Sequence, residues 1–145
     1  MTIVAARGDQ LTAAQLYALL RLRVDVFVVE QQAAYPELDG LDLLPVTLHL
    51  WQPGDGGRVD GCLRLLDEGD VVRVGRVCTA QAVRGTGLGA RLMEAAMRHI
   101  ADRESVLESQ TTATGFYARF GYRIDGEEYV EEDGIPHVRM RRPGG

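Results

Sequence analysis

The hydrophobic positions of this chain follow two spacings, one typical of strands and one typical of helices. Residues 71–79 are mostly β-branched or apolar, which predicts a strand. From Leu88 to Ile100 the apolar side chains recur three or four positions apart, which predicts a helix. Between the two lies a turn with three glycines, residues 84–89. This strand–turn–helix unit is the central feature of the sequence.

The N-terminal third predicts a short strand, a helix and a long irregular segment. Residues 2–6 suit a strand, and Thr12 with Gln15 three positions later forms the capping box that begins a helix. Residues 24–29 are β-branched and fit a helix less well. Residues 31–45, with their prolines, glycine and acidic side chains, predict a loop.

Strands dominate the rest of the predicted fold. Tight turns join three successive strand segments into an antiparallel meander, over residues 46–51, 59–66 and 71–79. After the central helix, residues 105–109 predict a strand parallel to 71–79, because a helical crossover connects parallel strands. A short helix and two strands follow, over residues 112–120, 122–124 and 135–140. The order β-α-β-β-β-α-β-α-β-β predicts a mixed α/β (α+β) fold, with a mainly antiparallel central sheet flanked by helices.

Composition narrows the class of protein. The 145 residues suit one domain, with residues 142–145 as a short flexible tail. A net charge of −5 disfavours nucleic acid as a partner, and no apolar run reaches the roughly 20 residues of a membrane span. The N-terminal residues lack the basic-then-apolar pattern of a secretory signal peptide. Cys62 and Cys78 are the only cysteines, and their spacing is not that of a metal site. We therefore expect a cytoplasmic protein without a metal.

The glycine-rich turn predicts a site for a phosphate-bearing ligand. Its residues are Arg84, Gly85, Thr86, Gly87, Leu88, Gly89 and Ala90. The first N–H groups of a helix lack partners and carry partial positive charge, and glycines let a diphosphate approach the backbone. Arg84 adds a full charge beside them. The alternative is a helix start that needs glycines only to bend sharply.

Two well-known phosphate turns fit less well. The P-loop requires Gly-Lys-Ser/Thr at its end, and no such sequence follows here. The dinucleotide fingerprint matches formally, with Glu108 near the position of a ribose partner, through Gly85, Gly87 and Ala90. However, these glycines come several residues after the strand end at Thr79, and too little chain follows Glu108 to complete a doubly wound sheet. A dinucleotide-dependent oxidoreductase is therefore the less favoured alternative.

Four segments in chain order resemble the GNAT superfamily of acyl-CoA N-acyltransferases. Residues 84–89, R-x-x-G-x-G, are similar to its pyrophosphate turn, and residues 116–122, F-Y-x-x-F-G-Y, are similar to its F-Y-x-x-x-G-F segment. Residues 22–31 and 129–137 resemble the ElaA-like branch in particular. Together these segments cover most of the chain. The predicted element order is also the layout that this resemblance implies.

The resemblance implies an N-acetyltransferase with acetyl-CoA as its cosubstrate and no metal. The diphosphate would bind at residues 84–90, the thioester along Val77, Cys78 and Thr79, and the pantetheine between Gln110 and Phe116. An acceptor, a primary amine of a small molecule or peptide, would attack the thioester directly. A homodimer is compatible with the sequence. A non-catalytic acyl-CoA-binding module is the second alternative.

Two further residues are predicted to carry the chemistry. The resemblance assigns Tyr117 as the general acid that protonates the leaving thiolate. The general base is not fixed by the resemblance, and the candidates are Glu30, His49, Glu108 and His137. We choose Glu30, because it lies in the branch-specific stretch beside the acidic loop 31–45. That loop is expected either to meet a cationic amine or to be a solvated surface.

Overall fold

A computed structural model describes residues 2–131 and 134–145, which form one mixed sheet flanked by helices. The strands are β1 (Val4–Arg7), β2 (Thr47–Pro53), β3 (Val59–Asp67), β4 (Val72–Thr79), β5 (Ser105–Gln110), β6 (Arg123–Ile124), β7 (Tyr129–Val130) and β8 (Pro136–Arg142). The helices are α1 (Ala13–Val24), α2 (Leu88–Ile100) and α3 (Thr114–Ala118). The strand order is β1-β2-β3-β4-β5-β8-β6, and β7 pairs with β8. The predicted fold class is confirmed, and β4 and β5 run parallel as expected.

The ends of several elements differ from the prediction. The capping box is present, with Thr12 Oγ1 accepting from the Gln15 amide at 3.1 Å. Helix α1 then widens into a π-helical turn, Asp25–Glu30, where the sequence left the conformation open. Strand β7 was not predicted, because two residues carry no periodic pattern. The prediction of a flexible tail from residue 142 was wrong at its start, since Arg142 pairs with Ser105 in the sheet.

Two hydrophobic cores cover the two faces of the sheet. Neighbouring residues of β2 point to opposite faces, and both Leu50 and Trp51 are buried. Helix α2 packs on the Leu50 face through Leu92 and other fully buried side chains, and α1 packs on the Trp51 face through Leu19. In the described residues, no helix is both long and apolar enough to cross a membrane.

The sheet opens between its two parallel strands. Pairing of β4 with β5 ends at Val74 and Leu107, although both strands continue beyond these residues. A bulge also interrupts the pairing of β4 with β3, and at this bulge Arg76 has a φ of 54°, which is rare for a residue with a side chain. Beyond Val74, the edge of β4 that faces β5 therefore has no strand partner, and a cleft forms there.

Candidate active site

The cleft where the strands separate has a volume of about 400 Å³. Its walls are the end of β4, the end of β5, helix α3 and the turn after α1. Six of the residues predicted for the site line it: Val77, Cys78, Thr79, Arg84, Gln110 and Tyr117. The sequence could not show that β4 bulges, and only the resemblance pointed to this strand end.

A second depression of about 250 Å³ continues from the cleft to the start of α2. Thr79 and Arg84 line both, so one path leads from the strand end to the helix start. The other predicted residues that line this depression are Gly85, Gly87, Leu88, Gly89, Ala90 and Phe116. Thr86 lines neither the cleft nor this depression, and its hydroxyl donates to the Val83 carbonyl at 2.6 Å.

The geometry of the glycine turn suits an anion. Gly85 and Gly87 have φ values of 82° and 84°, which other residues rarely adopt. The first bonded amide of α2 is that of Arg91, which donates to the Gly87 carbonyl at 3.1 Å. The amides of residues 88–90 precede it and have no backbone acceptor in the described chain. These free donors, at the positive end of the helix dipole, fit a diphosphate.

Arg84 ties the turn to two neighbouring elements. Its guanidinium donates to the Thr79 carbonyl at 2.9 Å and to Glu30 Oε1 at 2.8 Å. The hydrogen bond from Arg84 lowers the pKa of Glu30, which makes this carboxylate a weaker base. Glu30 also lies outside the lining of the cleft. The structure thus gives Glu30 a structural contact and does not place it where an amine would be deprotonated.

Tyr117 faces the cleft from α3. Its ring makes edge-to-face contacts with Phe116 and Tyr122, at centroid distances of 5.0 and 6.5 Å. Its hydroxyl has no hydrogen-bond partner among the residues that the structure describes. Burial raises the pKa of Tyr117, with a smaller contribution from Cys78. The phenol therefore stays protonated at neutral pH and can donate a hydrogen bond to a departing thiolate.

Cys78 lies opposite Cys62 in the neighbouring strand, with the two sulfurs 3.7 Å apart. The hydrogen bond with Cys62 and burial both raise the pKa of the Cys78 thiol well above its usual value. A thiol is a poor nucleophile, because the thiolate is the reactive form. Cys78 thus borders the cleft as an apolar wall rather than as an acyl carrier.

Two of the other candidate bases, His49 and Glu108, already make contacts with neighbouring groups of the protein. His49 is buried against the Asp42 carbonyl at 2.8 Å, and burial lowers its pKa. Glu108 accepts hydrogen bonds from Arg139 at 3.0 Å and from the Tyr129 hydroxyl at 2.8 Å, so both of its oxygens have partners. Each of these two groups is committed to contacts within the protein, although Glu108 borders the cleft.

His137 has the arrangement of a proton acceptor. It lies at the start of β8, opposite Gln110 of β5, and lines the cleft. Its Nδ1 is 2.8 Å from the Ile135 carbonyl, and a carbonyl only accepts, so Nδ1 carries the proton. In the neutral imidazole Nε2 then presents a lone pair. The ring stacks on Tyr129, with centroids 6.1 Å apart, which holds its orientation.

The acidic loop makes its contacts inside the protein. Three carboxylates of residues 31–45 pair with three arginines, namely Glu37, Asp39 and Asp42 with Arg23, Arg64 and Arg76. The chain itself therefore supplies counter-charges for these three carboxylates. The network, which we call the arginine–carboxylate network, fixes the loop onto the bulge at Arg76.

Several residues of the cleft wall were not predicted from the sequence. Arg64, Arg73 and Arg76 line it, as do Tyr35 and Glu37. A signal existed for Arg64, because an arginine between apolar strand residues must either leave the face of the sheet or find a buried partner. No signal existed for the partners themselves, since they lie more than 20 residues away in a loop.

Comparisons with known proteins give a consistent result. A family model described as an acetyltransferase (GNAT) domain matches residues 43–143. Protein ElaA of Escherichia coli is 39% identical over 140 residues, covering 92% of this chain and 91% of ElaA. A UPF0039 protein of Mycobacterium tuberculosis is 48% identical over 141 residues, with coverage of 94% and 90%. The crystal structure of an acyl-CoA N-acyltransferase from Pseudomonas aeruginosa has a TM-score of 0.89 at 42% identity, covering 98% of this chain and 99% of that one.

Proposed function

The chain belongs to the GNAT acetyltransferase family, and on this basis we propose that it is an acetyl-CoA-dependent N-acetyltransferase. The observation that carries the proposal is the unpaired end of β4, which leads directly to the open amides at the start of α2. An acyl-CoA has this same order of groups, a thioester, two amides and a diphosphate. We further propose a cytoplasmic site of action, in keeping with two free thiols.

Each part of the cosubstrate has a candidate position. The amides of residues 88–90 and Arg84 suit the diphosphate, and the free edge of Val77 and Cys78 suits the pantetheine amides and the thioester carbonyl. Gln110 and Phe116 border the path on its other side. The Thr79 carbonyl already accepts from Arg84, so we assign it to the turn rather than to the ligand.

Amide formation requires three things of these residues. The carbonyl of the thioester must be polarised, the leaving thiolate must receive a proton, and the amine must be neutral when it attacks. We assign the first to the backbone N–H groups at the end of β4, the second to Tyr117, and the proton of the amine to His137 Nε2, directly or through water. The amine attacks the thioester directly, since Cys78 is not arranged as a nucleophile.

Thermal unfolding with different ligands tests the choice of cosubstrate. A ligand at about 100 times its Kd stabilises the folded state by about 2.7 kcal/mol, which is a rise in Tm of several degrees for a domain of this size. We expect this rise with acetyl-CoA and with CoA, and no rise with NADH. A rise with NADH and none with CoA would instead establish the oxidoreductase alternative.

A further inference from the structure

Two hydrogen-bond acceptors in the wall of the cleft lack a donor among the described residues. They are Gln31 Oε1 and Glu37 Oε1, and both atoms are buried. Glu37 as a whole is only 3% exposed. Buried polar atoms in native proteins almost always have a partner, supplied by the protein, by water or by a ligand. Two unpartnered oxygens in the same cleft therefore indicate a bound molecule that carries hydrogen-bond donors, and the unpartnered Arg64 Nε and Arg76 Nε of the same wall indicate that it also carries an acceptor.

The other oxygen of Glu37 is firmly held. Glu37 Oε2 accepts from Arg23 Nε at 2.8 Å and lies 2.7 Å from Arg76 Nε. Arg76 directly precedes Val77, so Glu37 lies beside the strand end proposed for the thioester. Gln31 follows the π-helical turn after α1, and its amide donates to the Val26 carbonyl at 3.2 Å. The Glu37 side chain and the Gln31 backbone are thus positioned by their surroundings before any ligand binds.

The charge around these oxygens favours a neutral donor over a cation. The arginine–carboxylate network contains three arginines and three carboxylates, so it adds no net charge to this wall. The network therefore offers a hydrogen-bond acceptor without a net attraction for an ammonium ion. A neutral primary amine has two N–H bonds and one lone pair, which is the form that can attack a thioester.

We propose that Glu37 Oε1 and Gln31 Oε1 form the subsite for the acceptor molecule. Glu37 Oε1 accepts an N–H of the neutral amine, which orients its lone pair towards the end of β4, and Gln31 Oε1 accepts a second donor of the same molecule. The subsite rests on the proposed N-acetyltransferase function. It selects primary amines with a second donor, because one N–H binds Glu37 while the other gives its proton to His137. Alcohols and N-methylated amines have only one such hydrogen and are disfavoured.

The variant Glu37→Gln tests whether Glu37 Oε1 accepts a hydrogen bond from the amine. Arg23 Nε donates to the Oε2 position, so the amide oxygen takes that place and the NH₂ group replaces the free acceptor with a donor. We expect KM for the best primary amine to rise about tenfold or more, while KM for acetyl-CoA stays within about twofold. The preference of the enzyme for that amine over its N-methyl derivative should also shrink.

A second variant and two controls complete the experiment. Gln31→Met removes the other acceptor at similar volume and should raise the same KM, without the risk that a buried ion pair is disturbed. The controls are Gln32→Met and Glu94→Gln, at two exposed residues outside the cleft. Both should leave KM for the amine unchanged. Folded variants with an unchanged KM for the amine, or with a raised KM for acetyl-CoA instead, would refute the subsite alone. Absence of turnover in the unmodified protein would refute the proposed function as well.

Discussion

Replacing Tyr117 with phenylalanine is expected to lower kcat about 100-fold and to leave KM for acetyl-CoA nearly unchanged. The ring contacts with Phe116 and Tyr122 do not involve the hydroxyl, so the variant should fold normally. Only the proton donor for the departing thiolate is lost. Steady-state rates of thiol release measure the effect. Tyr17→Phe is the matched control, because Tyr17 is 72% exposed on α1 and lies outside the cleft.

The dependence on pH distinguishes the donor from the proton acceptor. In His137→Gln the loss of rate should shrink as pH rises, because the amine then loses its proton to solution bases without help from the protein. In Tyr117→Phe the loss should persist across neutral and mildly alkaline pH, because the raised pKa keeps the phenol protonated there. If Tyr117→Phe has the activity of the unmodified protein, Tyr117 is not the acid.

Replacing Arg23 with methionine is expected to destabilise the fold by about 3 kcal/mol, with Tm falling by about 10 °C. Arg23 is 1% exposed and binds Glu37 at 2.8 Å and Asp42 at 2.6 Å. Without Arg23, the buried negative charges of Glu37 and Asp42 are less well balanced by positive charge. This lowers the stability of the fold far more than the loss of an ion pair at the surface does. The expected loss of stability lies at the lower end of the range for breaking a buried ion pair, because Arg64 and Arg76 still contact the same carboxylates.

Urea unfolding and thermal scans measure this effect. Arg103→Met is the matched control, because the Arg103 pair with Asp67 is exposed and its loss should move Tm by no more than about 2 °C. Equal Tm values for the two variants would show that the network does not stabilise the fold.

The same network makes stability depend on pH. Burial acts to raise the pKa of Asp39, but the hydrogen bond from Arg64 and that from the Leu41 amide outweigh it, and the pKa falls to about 2. The stabilisation is therefore complete above the unfolded pKa of about 3.9 and is lost as pH falls towards 2.

The elements were predictable wherever a local pattern exists. The capping box at Thr12, the period of α2 and the turn chemistry of the meander depend on residues close together in sequence. The glycines at 85 and 87 likewise indicated the helix start that carries the open amides. The resemblance to a family then placed Tyr117 and the strand end in one site, and the structure brings them to the same cleft.

The remaining features depend on contacts between distant residues. The bulge at Arg76 is held by the Glu37 carbonyl and the Asp39 carboxylate, nearly 40 positions earlier in the chain, and no local spacing encodes that pairing. For the same reason the sequence could not show that Glu37 of the acidic loop pairs with Arg76, or that Glu30 pairs with Arg84. The role proposed for His137 rests on a contact of Nδ1 with the Ile135 carbonyl, which sequence spacing does not report.

The most direct test of the proposed function is the stoichiometry of acetyl transfer. The purified protein is incubated with acetyl-CoA and a panel of primary amines that includes a peptide, a lysine derivative, a polyamine and an aminoglycoside. Free CoA is measured by its thiol and the product by mass. We predict that at least one amine gains one acetyl group for each CoA released. Stabilisation by acetyl-CoA without transfer to any amine would contradict the enzyme assignment and establish a non-catalytic acyl-CoA-binding module.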